Sequence, residues 1–276
     1  MEADEVARHW EENAEAWTRQ ARAGLDVYRD ALNTPAFLAM LPPISGLEGL
    51  DVGCGEGANT RELARRGGRM HAIDIAPTFV RHARAAEIEQ PLGITFEVGD
   101  GMVLPFADAR FDFVTAFMSL MDMPDAARAL REAARVLRDG GFVQFSILHP
   151  CFAPRHRKVL RDDTGKVRAI EVAGYFDRSD GRVETWWFST LPQSERTKVP
   201  PFRTPCFDRT LSEWVATIVG AGLVIEAMGE PHADDDLAKS VPTIADTAVA
   251  PLFLHIRAIK PRTALVGATS VHAQFR

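Results

Sequence analysis

Between residues 3 and 40, apolar and aromatic positions such as Val6, Trp10, Ala14 and Trp17 recur every three or four residues among charged ones. That is the period of helices with one buried face, and the stretch reads as two helices closed by Pro42-Pro43. The pattern then changes. Short apolar runs that suit strands (49–52, 70–75, 94–98, 111–117 and 141–148) alternate with helical patterns (59–66, 77–89 and 125–138). Alternation of this kind predicts parallel strands joined by crossover helices, a doubly wound α/β layer structure. Pro77 suits a first helical turn, while Gly67-Gly68 and Gly140-Gly141 stop helices before strands.

After Pro150 the alternation breaks. Residues 151 to about 207 carry turn signals, Asp162-Asp163-Thr164-Gly165 and Ser179-Asp180-Gly181, with aromatic residues between them. The core resumes with a helix near 210–221, a strand near 223–228, a polar loop and a final strand near 252–259. This predicts an N-terminal helical cap (1–43), a cofactor-binding core (44–149), an insertion that caps the substrate (150–207), the rest of the core (208–261) and a tail without periodicity (262–276).

Composition narrows the function classes. The net charge of −6 is spread out, so no basic footprint for nucleic acid or an anionic membrane is present. The three cysteines, Cys54, Cys151 and Cys206, are too few and too scattered for a disulfide framework or a metal cluster. An acidic start and the lack of a long apolar run give the expectation of a cytoplasmic protein with no metal, no nucleic acid and no membrane partner. A homo-oligomer stays open.

Candidate chemistry lies at three successive strand ends. In Asp51-Val52-Gly53-Cys54-Gly55-Glu56-Gly57, alternating glycines follow a strand and precede a helix, where bare backbone can approach a ligand beside helix N-terminal amides. The dinucleotide fingerprint spaces its last two glycines three apart; here the spacing is two. Asp74 ends the next strand, where a carboxylate can accept ribose hydroxyls at roughly 1.5 to 3 kcal/mol. Asp100, trailed by Gly101, follows the third.

Taken together, LDVGCGEG, Asp74, VGDGMVLPFADARFDFV and EAARVLRDGG resemble the successive motifs of class I S-adenosylmethionine-dependent methyltransferases. The resemblance covers residues 48–149 closely. It implies a Rossmann-like sheet of seven strands ordered 3-2-1-4-5-7-6, the last antiparallel. It also implies S-adenosylmethionine as cofactor and S-adenosylhomocysteine as product. Asp51, Gly53, Gly55 and Gly57 would surround the methionine moiety, Asp74 would hold the ribose and Asp100 would face the adenine, with Gly101 and Met102 beside it. Phe117 and Met118 would line the methionine end, and Cys54, Asn59 and Ile75 join them as cofactor neighbours.

The substrate should meet the residues that follow the fourth and fifth strands. His149 is either a general base, an effect of roughly 10² to 10⁴ in rate, or a strand-end histidine set by Pro150. Tyr175, Trp186 and Trp187 in the insertion suit a pocket wall for an apolar or aromatic small molecule such as a secondary metabolite, and Tyr28 could close the other side. A methyltransferase acting on tRNA or protein, or a non-catalytic binder of the cofactor, are the competing readings.

Overall fold

The computed structural model describes residues 1–153 and 156–262. The expectation for the tail beyond Arg262 lies outside the described residues.

Helix α1 (Ala3–Arg22) is followed by a π-helical turn (Arg29–Asn33) that runs straight into α2 (Thr34–Met40). Next come β1 (Glu48–Val52), α3 (Ala58–Arg65), β2 (Arg69–Asp74), α4 (Pro77–Glu89), β3 (Thr95–Val98) and β4 (Phe111–Phe117). A 3-10 turn (Leu120–Asp122), α5 (Ala126–Val136) and β5 (Leu137–Leu148) complete the part that the motifs cover. Asp125 caps α5 by accepting the Arg128 amide, and Pro77 opens α4.

The insertion folds as two antiparallel hairpins. The first pairs β6 (His156–Arg161) with β7 (Val167–Ala173); the second pairs β8 (Asp180–Trp186) with β9 (Phe202–Phe207), with the short α6 (Gln193–Arg196) between. A reciprocal cap between Thr210 and Glu213 starts α7 (Leu211–Gly220), which leads to β10 (Val224–Gly229). The stretch expected to be a polar loop instead forms α8 (Asp235–Ser240) and a 3-10 segment (Pro242–Ala248) before β11 (Phe253–Ile259). These pieces are too short to show a helical period. Only the Asp234 cap on the Leu237 amide marks the start.

The main sheet runs β3-β2-β1-β4-β5-β11-β10. Its first five strands are parallel, and β11 lies antiparallel between β5 and β10. This is the order that the resemblance implies. Leu50, Ile73, Val114, Phe145, Ile147 and Ile256 fill its interior and are fully buried. The N-terminal helices are fastened to the sheet by polar groups: buried Asn33 accepts from Ser146 at 3.0 Å and from His255 at 2.6 Å, while Gln144 donates to the Phe37 carbonyl. The π-turn brings Asn33 to that position, as such turns often re-aim one side chain. No helix among the described residues is long and apolar enough to cross a membrane.

Candidate active site

At the carboxyl ends of the parallel strands the sheet opens into a cavity of about 620 Å³. The loops after β1, β2, β3 and β4 form one side of it. Residues of α1, the segment around Tyr28 and the β8–β9 hairpin form the other.

β1 delivers the chain into the glycine loop, which is tied down where the Gly53 and Cys54 amides both donate to the Ile73 carbonyl, at 2.8 and 3.0 Å. Gly55 has φ +56°, and a Cβ there would meet nothing within 4 Å, so bare backbone stands on the cavity wall. Gly57 does different work. With φ +87°, its missing Cβ would lie 3.0 Å from the Phe96 ring, so this glycine lets α3 pack closely and does not line the cavity. Asp51 also turns away. Its buried carboxylate accepts from Thr60 Oγ1 at 2.6 Å and Thr115 Oγ1 at 2.8 Å, joining β1 to α3 and β4. Burial raises its pKa, and the two hydroxyls act against that rise. Asp51 and Gly57 thus shape the site from behind, whereas Gly53, Cys54, Gly55, Asn59, Asp74 and Ile75 line it. So do Asp100, Gly101, Met102, Phe117 and Met118.

Asp74 ends β2 with Oδ2 accepting the Gly55 amide at 2.8 Å and Oδ1 accepting the Ala76 amide at 2.9 Å. Burial pushes its pKa up to about 6, and these two amides act against the rise. Each oxygen keeps a lone pair for a further donor. Asp100 Oδ1 accepts the Met102 amide at 2.8 Å, and Asn59 accepts from Thr34 Oγ1, which links α3 to α2. Burial, followed by the nearby Asp74 and Asp51, raises the Cys54 thiol well above its ordinary range, so it stands as a neutral wall group. Met118 holds a left-handed backbone (φ +54°) directly after β4, a strained setting for a side chain and one found often at ligand sites.

The four aromatic residues expected to meet substrate all reach the cavity. Tyr28 Oη shares its one proton between the Thr243 carbonyl and Asp246, both at 2.8 Å, while Tyr175 Oη accepts the Leu211 amide and keeps its own proton to donate. Trp186 Nε1 donates to Thr204 Oγ1, and Trp187 Nε1 to the Val199 carbonyl. The two indole N–H groups are thus occupied, and both tryptophans add apolar ring area to the cavity lining. Trp17 of α1 joins them, its ring 5.4 Å from Trp186, 5.1 Å from Phe188 and 4.9 Å from Phe202.

His149 is placed otherwise than a base requires. Leu148 and Pro150 line the cavity and His149 does not. Its Nδ1 accepts the Cys151 amide at 3.1 Å, which leaves the proton on Nε2, directed at Glu230 Oε1 at 2.9 Å. The expectation of a general base at this position is therefore withdrawn. In an extended segment neighbouring side chains take opposite faces, so one residue of offset decides the matter.

Sequence reasoning missed two groups on the wall. Arg29 extends toward Glu56 (3.6 Å) and Asp26 (3.9 Å), and burial lifts Asp26 to a pKa of about 6 against the pull of Arg29. The lining also includes Asp122, which feels the charges of Arg209 and Glu184, together with Arg182 and Asp208. The rule that ligands sit beyond strand carboxyl ends applies to the segment after β4 as much as to His149, and would have found Asp122.

A family model described as a methyltransferase domain matches residues 50–145. The demethylmenaquinone methyltransferase of Tropheryma whipplei is 35% identical over 189 residues, covering 66% of this chain and 77% of that enzyme. The chain belongs to the class I S-adenosylmethionine-dependent methyltransferases. The 27-O-demethylrifamycin SV methyltransferase of Amycolatopsis mediterranei is 40% identical over 111 residues, but that match spans only 39% of this chain and 41% of the relative. A crystal structure of an S-adenosylmethionine-dependent methyltransferase from Mesorhizobium loti superposes with a TM-score of 0.65 at 26% identity, covering 82% of this chain and 96% of that one. The methyltransferase thus uses S-adenosylmethionine as its cofactor. Its site suits that group: the bare Gly55 backbone leaves room, and the Asp74 carboxylate has acceptor capacity to spare.

Proposed function

We propose that this methyltransferase acts on a small, ring-bearing, largely apolar molecule such as a secondary metabolite, with residues 1–43 and 150–207 serving as a cap over the core. The observation that carries this reading is the cavity itself. It is walled opposite the cofactor loops by Trp17, Tyr175, Trp186, Trp187 and Phe188, with Arg182, Glu184, Asp208 and Arg209 at one end. Such a wall fits a compact apolar ligand and offers little to a phosphate backbone. Relatives named as methyltransferases of 27-O-demethylrifamycin SV and of demethylmenaquinone support a small-molecule acceptor.

In this reading Asp74 accepts the ribose hydroxyls, Asp100 with Gly101 and Met102 receives the adenine, and Gly53, Cys54 and Gly55 flank the methionine moiety. Asn59, Ile75, Phe117 and Met118 complete that wall. Arg29, close to Glu56 beside the glycine loop, offers its guanidinium to the methionine carboxylate. Bound cofactor supplies an electrophilic methyl group on a sulfonium; the protein contributes alignment and the exclusion of water, and alignment alone can be worth several kcal/mol.

Two measurements test the proposal. Calorimetry should show S-adenosylhomocysteine binding, and mass spectrometry of methyl transfer across a panel of small hydroxylated and aminated aromatics, set beside bulk tRNA, should yield product from the aromatics. Methylation of tRNA alone would reject the small-molecule reading.

A further inference from the structure

The segment after β4 touches both halves of the cofactor wall. A Cβ built on Gly53 would lie 2.4 Å from the Cβ of Ser119, and one built on Gly101 would lie 2.8 Å from the Cε of Met123. Ser119 is further anchored by donating to the Val52 carbonyl at 2.6 Å. Between these anchors stands Asp122, at the end of the 3-10 turn. It is only 9% exposed, yet it lines the cavity, and the described residues act on its carboxyl group through the charges of Arg209 and Glu184 and through no hydrogen bond.

The groups around it are otherwise occupied. Arg182 donates to Glu184 at 2.6 Å and lies 3.7 Å from Asp208. Arg209 spends its Nη2 on the Met123 and Pro124 carbonyls and covers the faces of Phe207 and Trp214. Burial raises the Asp122 pKa well above the carboxylate range; Arg209 pulls it down and Glu184 pushes it further up. An acceptor nine-tenths buried that opens on a cavity takes its donors from there, from water or from a bound ligand.

We propose that Asp122 is the base for the methyl acceptor, binding a hydroxyl group on an aromatic molecule and taking its proton during transfer. This rests on the reading of the cavity given above. In the step, the acceptor oxygen forms a bond to the methyl carbon while the carbon–sulfur bond breaks. The electron pair stays on sulfur as S-adenosylhomocysteine leaves, and the hydroxyl proton passes to Asp122. A hydroxyl needs this help because its neutral oxygen is a weak nucleophile, and the other carboxylates at this end of the cavity, Glu184 and Asp208, already face Arg182 at 2.6 and 3.7 Å. A cationic amine suits the place less well, with the guanidinium groups of Arg182 and Arg209 close by.

The test uses 2-naphthol and its methyl ether, 2-methoxynaphthalene, as probes. With S-adenosylhomocysteine saturating at pH 8, the full-length protein should bind 2-naphthol at least ~10-fold more tightly than the ether, the ratio expected when a buried acceptor gains or loses its one donor. Asp122→Asn should abolish most of that ratio and leave the affinity for the ether unchanged. With S-adenosylmethionine present, the same variant should form 2-methoxynaphthalene about 10²-fold more slowly. S-adenosylhomocysteine affinity should match in the two proteins, which shows that the variant is folded. Equal binding of the two probes, a preference that survives in Asp122→Asn, or no turnover of 2-naphthol would overturn the role of Asp122. Failure of the unaltered protein to bind S-adenosylhomocysteine would instead reject the cofactor reading.

Discussion

The acidic residues of this site share a side-chain type and differ in what surrounds them. Asp74 should make cofactor affinity depend on pH. In the free protein its carboxyl ionises at about 6 because it is buried, while ribose hydroxyls donating to it would favour the charged form. Affinity for S-adenosylhomocysteine should therefore rise as pH increases through 6, with proton release on binding. Titration calorimetry in buffers of different ionisation enthalpy measures this. The stability of the free protein runs the opposite way: the folded state holds this proton more tightly than the unfolded chain, so the Asp74 contribution falls as pH rises through the same window. Asp74→Asn should flatten the affinity profile and weaken binding about tenfold or more at pH 8, whereas Asp26, also near 6, keeps its effect on stability in that variant. His149 carries a contrasting expectation. His149→Ala removes the anchor of the Cys151 amide and should lower unfolding free energy by about 1 to 2 kcal/mol in urea titration, with S-adenosylhomocysteine affinity unaltered. Intact stability with lost turnover would restore it to the chemistry. The motif acids were legible in the sequence because their positions at strand ends follow from chain order alone. Which way each side chain points was not: Asp51 faces Thr60 and Thr115, and His149 faces Glu230, through single-residue offsets that no pattern of residue types encodes.

At the scale of elements, the helices and strands that carry the core could be read closely, since α4 and β4 begin and end where the apolar period and Pro77 predict. The insertion could be read only as turns and aromatics. Its strands β6 to β9 pair in two separate hairpins with few fully buried residues, so alternation is weak, and the packing partner of the β8–β9 hairpin lies far off in sequence on α1. That partner is Trp17, whose ring meets Trp186, Phe188 and Phe202, while Asn13 exchanges hydrogen bonds with the Arg203 backbone at 3.0 and 3.1 Å. Trp17→Ala should thus loosen a junction rather than a single element. Stability should fall by roughly 2 to 4 kcal/mol, and limited proteolysis should cut faster within 156–207 than within the sheet. Equal protection of both regions in the variant would mean that the hairpins hold their place without α1.

For the molecule as a whole, the cavity joins pieces distant in the chain: α1, the glycine loop, the turn after β4 and the β8–β9 hairpin all line it. A ligand that fills it contacts all of them and binds only when they are assembled. Its binding free energy should therefore appear as stability of the entire fold, by RT ln(1 + [L]/Kd), about 2.7 kcal/mol at a hundredfold excess over Kd. At roughly 2 to 4 °C per kcal/mol for somewhat smaller domains, S-adenosylhomocysteine at that excess should raise Tm by about 5 °C or more, in one transition. A nicotinamide dinucleotide should leave Tm unchanged. The third glycine of the loop, which such a cofactor would need at different spacing, is turned inward, where Phe96 and Ala83 fill the space beside Gly57. Scanning calorimetry with each ligand separates the outcomes. If S-adenosylhomocysteine raised only part of a two-step transition, the proposed cap of residues 1–43 and 150–207 would fold apart from the sheet, and the cavity would be completed by docking rather than by folding.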